Sequence, residues 1–252
     1  MDKTLGGVQT ISRAFELLDL IANEGASVTI SELSIRSGLP MPTVHRLLKA
    51  LVSLGHVRQT PSRRYALGPR LIRLGEMARQ NLGTTAMPFL TELVNITEET
   101  ANFAIREGDL VVYVAQVPSR HSMRMFTEIG RRVLPHCTGV GKALLAQLSN
   151  SSVKEIVQRN GMPAMTAKTI TDINDLMEDL DRIRQRGWAE DNGEQEIGVR
   201  CIAAPILGTG IQSAISVSGP AARLTPEVTD RAGPRLLGIA DDLAAAINST
   251  ED

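Results

Sequence analysis

Apolar and polar positions between residues 28 and 68 follow first a helical and then a strand-like pattern. Ile30 and Leu33 form an inward stripe behind Thr29, and Glu32 stands three residues after Thr29, the reciprocal pair that caps a helix N-terminus. Gly38 predicts the end of that helix, since a left-handed cap suits glycine best. After Leu39-Pro40, the residues Val44, Leu47, Leu48, Leu51 and Leu54 recur at three- and four-residue steps. They predict a second amphipathic helix that starts near Met41 or Pro42 and stops at Gly55. Two short strands follow, His56 to Arg58 and Tyr65 to Leu67, around the polar, basic stretch Gln59 to Arg64. Upstream, Val8, Ile11, Ala14, Phe15, Leu18, Ile21 and Ala22 predict the stripe of a supporting helix.

A capped helix, a turn, a second helix and a basic hairpin, in that order, are the parts of a winged helix-turn-helix. The second helix would enter the major groove of DNA, with the hairpin loop beside it. Its polar face carries Pro42, Thr43, His45, Arg46 and Lys49, short or basic side chains that reach base edges and phosphates. Arg63 and Arg64 would meet the DNA backbone or minor groove from the wing. Arg46 and Lys49 alone would equally suit a solvated helix face; the order of the motifs carries the reading.

Beyond the wing, Gly68-Pro69 interrupts the pattern. Arg70 to Leu82 predicts a helix with Leu71, Ile72, Leu74, Met77 and Ala78 on one side and arginines on the other, a semi-rigid spacer closed by Gly83. From there helices and strands mix. Helices are expected at Met87–Ile96, Gly139–Leu148, Val153–Asn160, Ile173–Arg186 and Pro226–Ile247, the last kinked or broken at Pro234. Strands are expected at Ala101–Arg106, Val111–Gln116, Met123–Phe126, Ile202–Leu207 and Ser213–Ser218. Turn-linked strands among helices predict an α+β body with a mainly antiparallel sheet. The expected domains are therefore a winged helix-turn-helix at 1–68, a linker helix at 69–83 and a second domain at 84–252.

Charge sharpens this division. Residues 1–75 hold ten Lys/Arg against five Asp/Glu, and residues 76–252 hold seventeen against twenty-three, so +5 and −6 add to the chain's −1. A basic module on an acidic body suits nucleic-acid contact confined to one end. The two cysteines, Cys137 and Cys201, are too few for a disulfide framework, which favours the cytoplasm, with nucleoid association when DNA is bound. No apolar run reaches membrane-spanning length and no apolar signal core opens the chain. The four histidines are dispersed without metal-ligand spacing, so neither metal nor cofactor is expected. Gly139-Val140-Gly141-Lys142 falls short of a phosphate-binding loop, because His136 and Ala143 stand where glycine and Ser/Thr are needed. His136 and Cys137 are adjacent and lack an orienting third group, which argues against a nucleophile and base. Lys142 would snorkel from its helix or pair with a carboxylate.

Three stretches of the body, SMRMFTEIGRRVLPHCTGVGKALLA, VRCIAAPI and AISVSGPAARLT, together with TISELSIRSGLPMPTVHRLLKAL in the reader, resemble the isocitrate-lyase-regulator (IclR) family of bacterial transcription factors along nearly the whole chain. The resemblance implies a GAF-like effector-binding domain after the linker helix, and homodimers or tetramers built as dimers of dimers. It also implies palindromic operator DNA and a small carboxylate effector such as a 2-oxo acid of the glyoxylate or pyruvate kind. Repression of a catabolic operon is the expected outcome. Carried over by position, the effector residues are Gly139, Val140, Asp191, Cys201, Ser216 and Ser218, with Met125, Val133 and Val199 as the apolar wall. The chemistry fits: amides at a helix start attract a carboxylate, and serines two apart on a strand share a face. Two departures from the family bear on ligand identity, valine at 140 in place of the commoner alanine and a looser Asp191–Glu196 segment. Aromatic acids, sugar acids and polyols are alternative effectors. The rival classes are an enzyme using Cys201 as nucleophile, which would turn over a small oxo acid, and an architectural binder indifferent to DNA sequence.

Overall fold

The computed structural model describes residues 3–24, 27–125 and 128–249, without the side chains of residues 3–8 and 78–82. The chain divides into two compact units, Met1–Ala78 and Arg79–Asp252.

The first unit packs α1 (Lys3–Asn23), α2 (Ile30–Ser37) and α3 (Met41–Ser53) around one core, with β1 (Val57–Gln59) and β2 (Tyr65–Leu67) pairing antiparallel as the wing. The capping box at Thr29 and Glu32 is present: the Glu32 amide donates to Thr29 Oγ1 at 3.2 Å and the Thr29 amide to Glu32 Oε2 at 2.7 Å. Gly38 takes the left-handed cap at φ 65°. Val44, Leu47, Leu48 and Leu51 are buried as the spacing requires, but Leu54 is exposed, because α3 has ended by then and Gly55 turns the chain at φ 76°.

The supporting helix departs further from its expected stripe. Leu17, Leu18 and Ile21 form its buried face, whereas Ile11 and Phe15 are 61% and 62% exposed. The stripe merges two faces, of which the unit covers one. The same holds for α4 (Arg70–Gly83), where Leu71 packs on the core while Ile72, Leu74 and Met77 stand exposed. The side chains of Val8 and Ala78 lie outside the described residues.

The second unit is built on a six-stranded antiparallel sheet of order β5-β4-β3-β8-β7-β6. Its strands are β3 (Thr100–Glu107), β4 (Leu110–Val117), β5 (Arg132–Val133), β6 (Ala189–Asp191), β7 (Val199–Ile206) and β8 (Ser213–Pro220). One face packs α5 (Met87–Thr97) and α9 (Pro226–Asn248), and the other packs α6 (Gly139–Leu145), α7 (Asn150–Asn160) and α8 (Ile173–Arg186). Alternation along β3 sets the division: Ala101 and Phe103 join the first core and Ala104 the second.

Several expectations are corrected here. Met123–Met125 form no strand, and Phe126 lies outside the described residues; β5 begins only at Arg132. β6 has three residues, too short for an alternating pattern to reveal. α6 stops at Leu145, before Leu148. α9 runs unbroken through Pro234; the proline costs about 3 kcal/mol in a lost hydrogen bond and ring crowding, and burial of Leu236, Ile239, Ala240 and Leu243 offsets it. Beneath α9, the chain's single tryptophan, Trp188, is buried against Gly233, where an added Cβ would come within 2.4 Å of its ring. Arg186 covers the ring at 4.0 Å.

Candidate nucleic-acid interface and effector cavity

In the first unit the face of α3 opposite its core is open. Pro42, His45, Arg46 and Lys49 are exposed and Thr43 is half-buried. Pro40 and Pro42 begin this helix without a side-chain cap; Pro42 has no amide hydrogen, and the Thr43 and Val44 amides donate to the Pro40 carbonyl at 2.8 and 3.1 Å. In the wing the two arginines part company. Arg63 is exposed at φ 59°, a conformation non-glycine residues rarely adopt, and a Thr60 carbonyl holds its amide at 2.9 Å. Arg64 is half-buried and tied inward: its guanidinium donates to the Ser27 carbonyl at 2.8 Å and reaches Glu32 at 3.3 Å. One carboxylate thus both caps α2 and braces the wing.

In the second unit the register of the sheet aligns the candidate effector residues. Asp191 pairs with Cys201, Cys201 with Ser218, and Ser218 with Thr100, giving one polar row across four strands. The next row holds Ala203, Ser216, Asn102 and Gln116. A cavity of about 60 Å³ opens against the first row. Its lining includes seven of the nine expected residues: Met125, Val133, Gly139, Asp191, Val199, Cys201 and Ser218.

Two expected residues sit behind the lining. Ser216 is fully buried in the second row, where the Asn102 side-chain amide donates to it and to Ser218, each at 3.4 Å. Val140 places its methyls in the core with Ala143 and Leu144, so its side chain does not narrow the cavity. Tyr113, Arg131, Thr138, Gln195 and Glu196 line the cavity without having been anticipated. Tyr113 stands two residues after buried Val111 on one strand, a spacing that puts both on the same face and would flag it; Arg131 and Glu196 belong to loops, where no periodicity exists to flag them.

Local sequence explains the close approach. Thr138 caps α6 by accepting from the Gly141 amide at 3.2 Å. A Cβ on Gly139 would lie 2.9 Å from the Cys201 sulfur, and one on Gly141 would lie 2.3 Å from the Pro135 carbonyl oxygen. Only glycine lets this helix start rest on β7. On the same helix, Lys142 is 1% exposed and Nζ contacts Asp179 at 2.8 Å and Glu194 at 2.6 Å. Of the two expected roles, pairing is the one found. The Glu194 amide in turn donates to Asp191 Oδ1 at 2.6 Å, so the Asp191–Glu196 segment is fixed from below.

Burial governs protonation here. It raises Asp191 to about 6 against the backbone amides and Lys142 that favour its ionised form. It raises Glu194 to about 7, with Lys142 opposing. For Lys142 burial favours the neutral form, but Glu194 and Asp179 outweigh it and the shift is upward. Burial pushes the Cys201 thiol to about 12, so near neutral pH it is a weak hydrogen-bonding group and a poor nucleophile. His136 turns to the Pro163 carbonyl at 3.2 Å while Cys137 contacts Gln195 at 3.0 Å, so the neighbours share no target.

Comparison with known proteins matches residues 10–61 to the IclR helix-turn-helix domain and residues 75–245 to the pattern described as bacterial transcriptional regulator IclR C-terminal. The chain belongs to the IclR family. It is 39% identical over 226 residues to the HTH-type transcriptional regulator BhcR of Paracoccus denitrificans, covering 87% of this chain and 80% of that one. It is 35% identical over 248 residues to the transcriptional repressor IclR of Escherichia coli K12, covering 96% and 90%. The crystal structure of an IclR transcriptional regulator from Alicyclobacillus acidocaldarius shares its fold with a TM-score of 0.84 at 26% identity, over 95% of this chain and 98% of that one. As an IclR-family member the protein is a DNA-binding transcriptional regulator and not an enzyme, and the protonated Cys201 accords with that. Among the described residues no helix is long and apolar enough to cross a membrane.

Proposed function

We propose that this regulator is a cytoplasmic, effector-gated repressor of a catabolic operon, reading palindromic operator DNA with α3 and binding a small 2-oxo acid in the cavity above β7 and β8. The observation that carries the ligand half is the cavity itself. A water needs roughly 10–15 Å³ of such space, so about 60 Å³ suits a molecule of a few heavy atoms and is tight for an aromatic acid. Its polar row supplies a thiol and a hydroxyl as donors, and Arg131 adds a cation for a carboxylate. Val140 contributes its backbone amide at the helix start, and Ser216 acts through Asn102 behind Ser218.

On the DNA side, Pro42, Thr43, His45, Arg46 and Lys49 face the major groove and Arg63 meets the backbone or minor groove. Arg64 contributes positive charge while bracing the wing. The domain reading at 1–68, 69–83 and 84–252 places α4 as the connector. The exposed Ile11, Phe15, Ile72 and Met77 favour a second copy of the chain, consistent with a homodimer or a dimer of dimers. Effector binding then changes the placement of two readers, which requires different affinities for the two arrangements and a coupling on the order of 1–3 kcal/mol.

Calorimetry of the full chain with glyoxylate, pyruvate and larger acids tests the ligand. Saturable binding of a two- or three-carbon oxo acid without turnover is expected; binding of aromatic acids alone would overturn it. Titration of the protein's own promoter region against scrambled duplex at several salt concentrations tests the reader. Equal affinity for both would leave only an architectural binder.

A further inference from the structure

A second, larger concavity lies on the other face of the body, away from the polar row. It is a cleft of about 570 Å³ between the end of α5 and the first turns of α9. Volumes of this order are typical of small-molecule sites. Its chemistry is dominated by arginine: Arg223, Arg231 and Arg235 line it together with His121, Glu98 and Glu99.

These charges are not equivalent. Glu99 is 2% exposed and is neutralised by Arg223, whose Nη2 donates to it at 2.9 Å. Arg231 and Arg235 are exposed and stand four residues apart on α9, so they share one side of that helix. Among the described residues neither forms a hydrogen bond or ion pair. Glu98 offsets one of them, and the cleft keeps a surplus positive charge with two unengaged guanidinium groups on a concave wall. A guanidinium presents paired N–H donors that match carboxylate and phosphate oxygens.

We propose that this cleft binds a small multivalent anion, a molecule carrying two or more carboxylate or phosphate groups, with Arg231 and Arg235 as its principal contacts. The site is distinct from the effector cavity, yet the two share a wall. The Thr100 hydroxyl accepts from the Ser119 amide at 3.1 Å and donates to the Met125 carbonyl at 3.0 Å, closing residues 119–125 on one side chain. Arg223 holds the middle of that segment by donating to the Met123 carbonyl at 3.0 Å. His121 in this segment lines the cleft, and Met125 at its end lines the effector cavity. An anion that draws on Arg223 therefore displaces the segment that bounds the effector site.

Calorimetry of the full chain with pyrophosphate and with citrate tests the site and separates phosphate from carboxylate sources. Saturable binding of at least one is expected, weakened at least about tenfold in Arg231→Gln with Arg235→Gln, as the loss of one charge-assisted hydrogen bond requires. Both side chains are exposed, and an unchanged circular dichroism spectrum confirms the fold of the variant. A second variant, Arg46→Gln with Arg63→Gln, should bind as the wild type does; loss there instead would place the anion on the DNA reader and overturn the proposal. Methyl-labelled methionine spectra should show the Met125 signal, identified by Met125→Leu, moving on titration only when Arg231 and Arg235 are present. Persistence of that movement in the double variant would mean that the anion enters the effector cavity, and wild-type protein that binds neither probe up to about 10 mM would also overturn the site. A change of oligomeric mass in the double variant, without a change in anion affinity, would assign the cleft to contact between copies and refute it equally.

Discussion

The reader and the body carry their chemistry in opposite ways. In the reader, the polar side chains stand on the open face of one regular helix, and the buried positions beneath them serve only to hold it. In the body, the polar groups are themselves buried, and each depends on partners distant in sequence. Asp191, Cys201, Ser218 and Thr100 form one row only because four strands align in register. The lesson is energetic. Changes at the reader's face should alter binding and spare stability, while changes beneath the effector cavity should disturb both, because a buried polar group that loses its partner keeps its desolvation cost.

The strongest test of that contrast is Lys142→Met. Removing the ammonium leaves Asp179 and Glu194 without their shared cation, and a loss of about 3–5 kcal/mol is expected. Denaturant titration should register it in the body alone. Glu194, raised to about 7 even beside Lys142, takes up a proton more readily in the variant, so the full loss is expected above that pH and a smaller one below it; no loss at either pH would break the contrast. Next in size is Arg46→Ala, expected to weaken operator binding by about 1–3 kcal/mol with an unchanged unfolding midpoint. Fluorescence anisotropy at matched salt would show it, and undiminished affinity would remove this helix face from the interface.

Thr29→Ala should then cost about 1 kcal/mol by breaking the capping box. Because Glu32 also contacts Arg64, this variant should loosen the wing as well, detectable as faster amide exchange at residues 64 and 65. The smallest effect concerns pH. Asp191 is raised to about 6 by burial, so its ionised form costs stability above that pH, and the cost is relieved as pH falls. A negative charge leaves the cavity at the same time, so glyoxylate should bind several-fold more tightly near pH 5.5 than near pH 7.5. Asp191→Asn should flatten that profile; an unchanged slope would assign it to another group.

How much of this was readable from sequence follows the same division. Capping pairs, helical spacing and terminal glycines are local signals, and they located α2, α3 and the wing within a residue or two. The stripe on α1 misled, because Ile11 and Phe15 keep the period without a covering element in their own unit. In the body, seven cavity residues were placed through family resemblance rather than pattern. Asn102, which joins Ser216 to Ser218, was missed, since a polar residue in a mostly apolar strand shows its role only once β3 and β8 are paired. The inward tie of Arg64 was equally hidden, because Ser27 lies thirty-seven residues away.

Trp188 turns the two-unit organisation into something a spectrometer can separate. It is the chain's single indole, and it lies in the body, wedged between Gly233 and the Arg186 guanidinium. Its emission should follow melting of the body and ignore the reader, whereas far-ultraviolet ellipticity sums over both. Divergence of the two curves during heating would reveal separate melting transitions without any label.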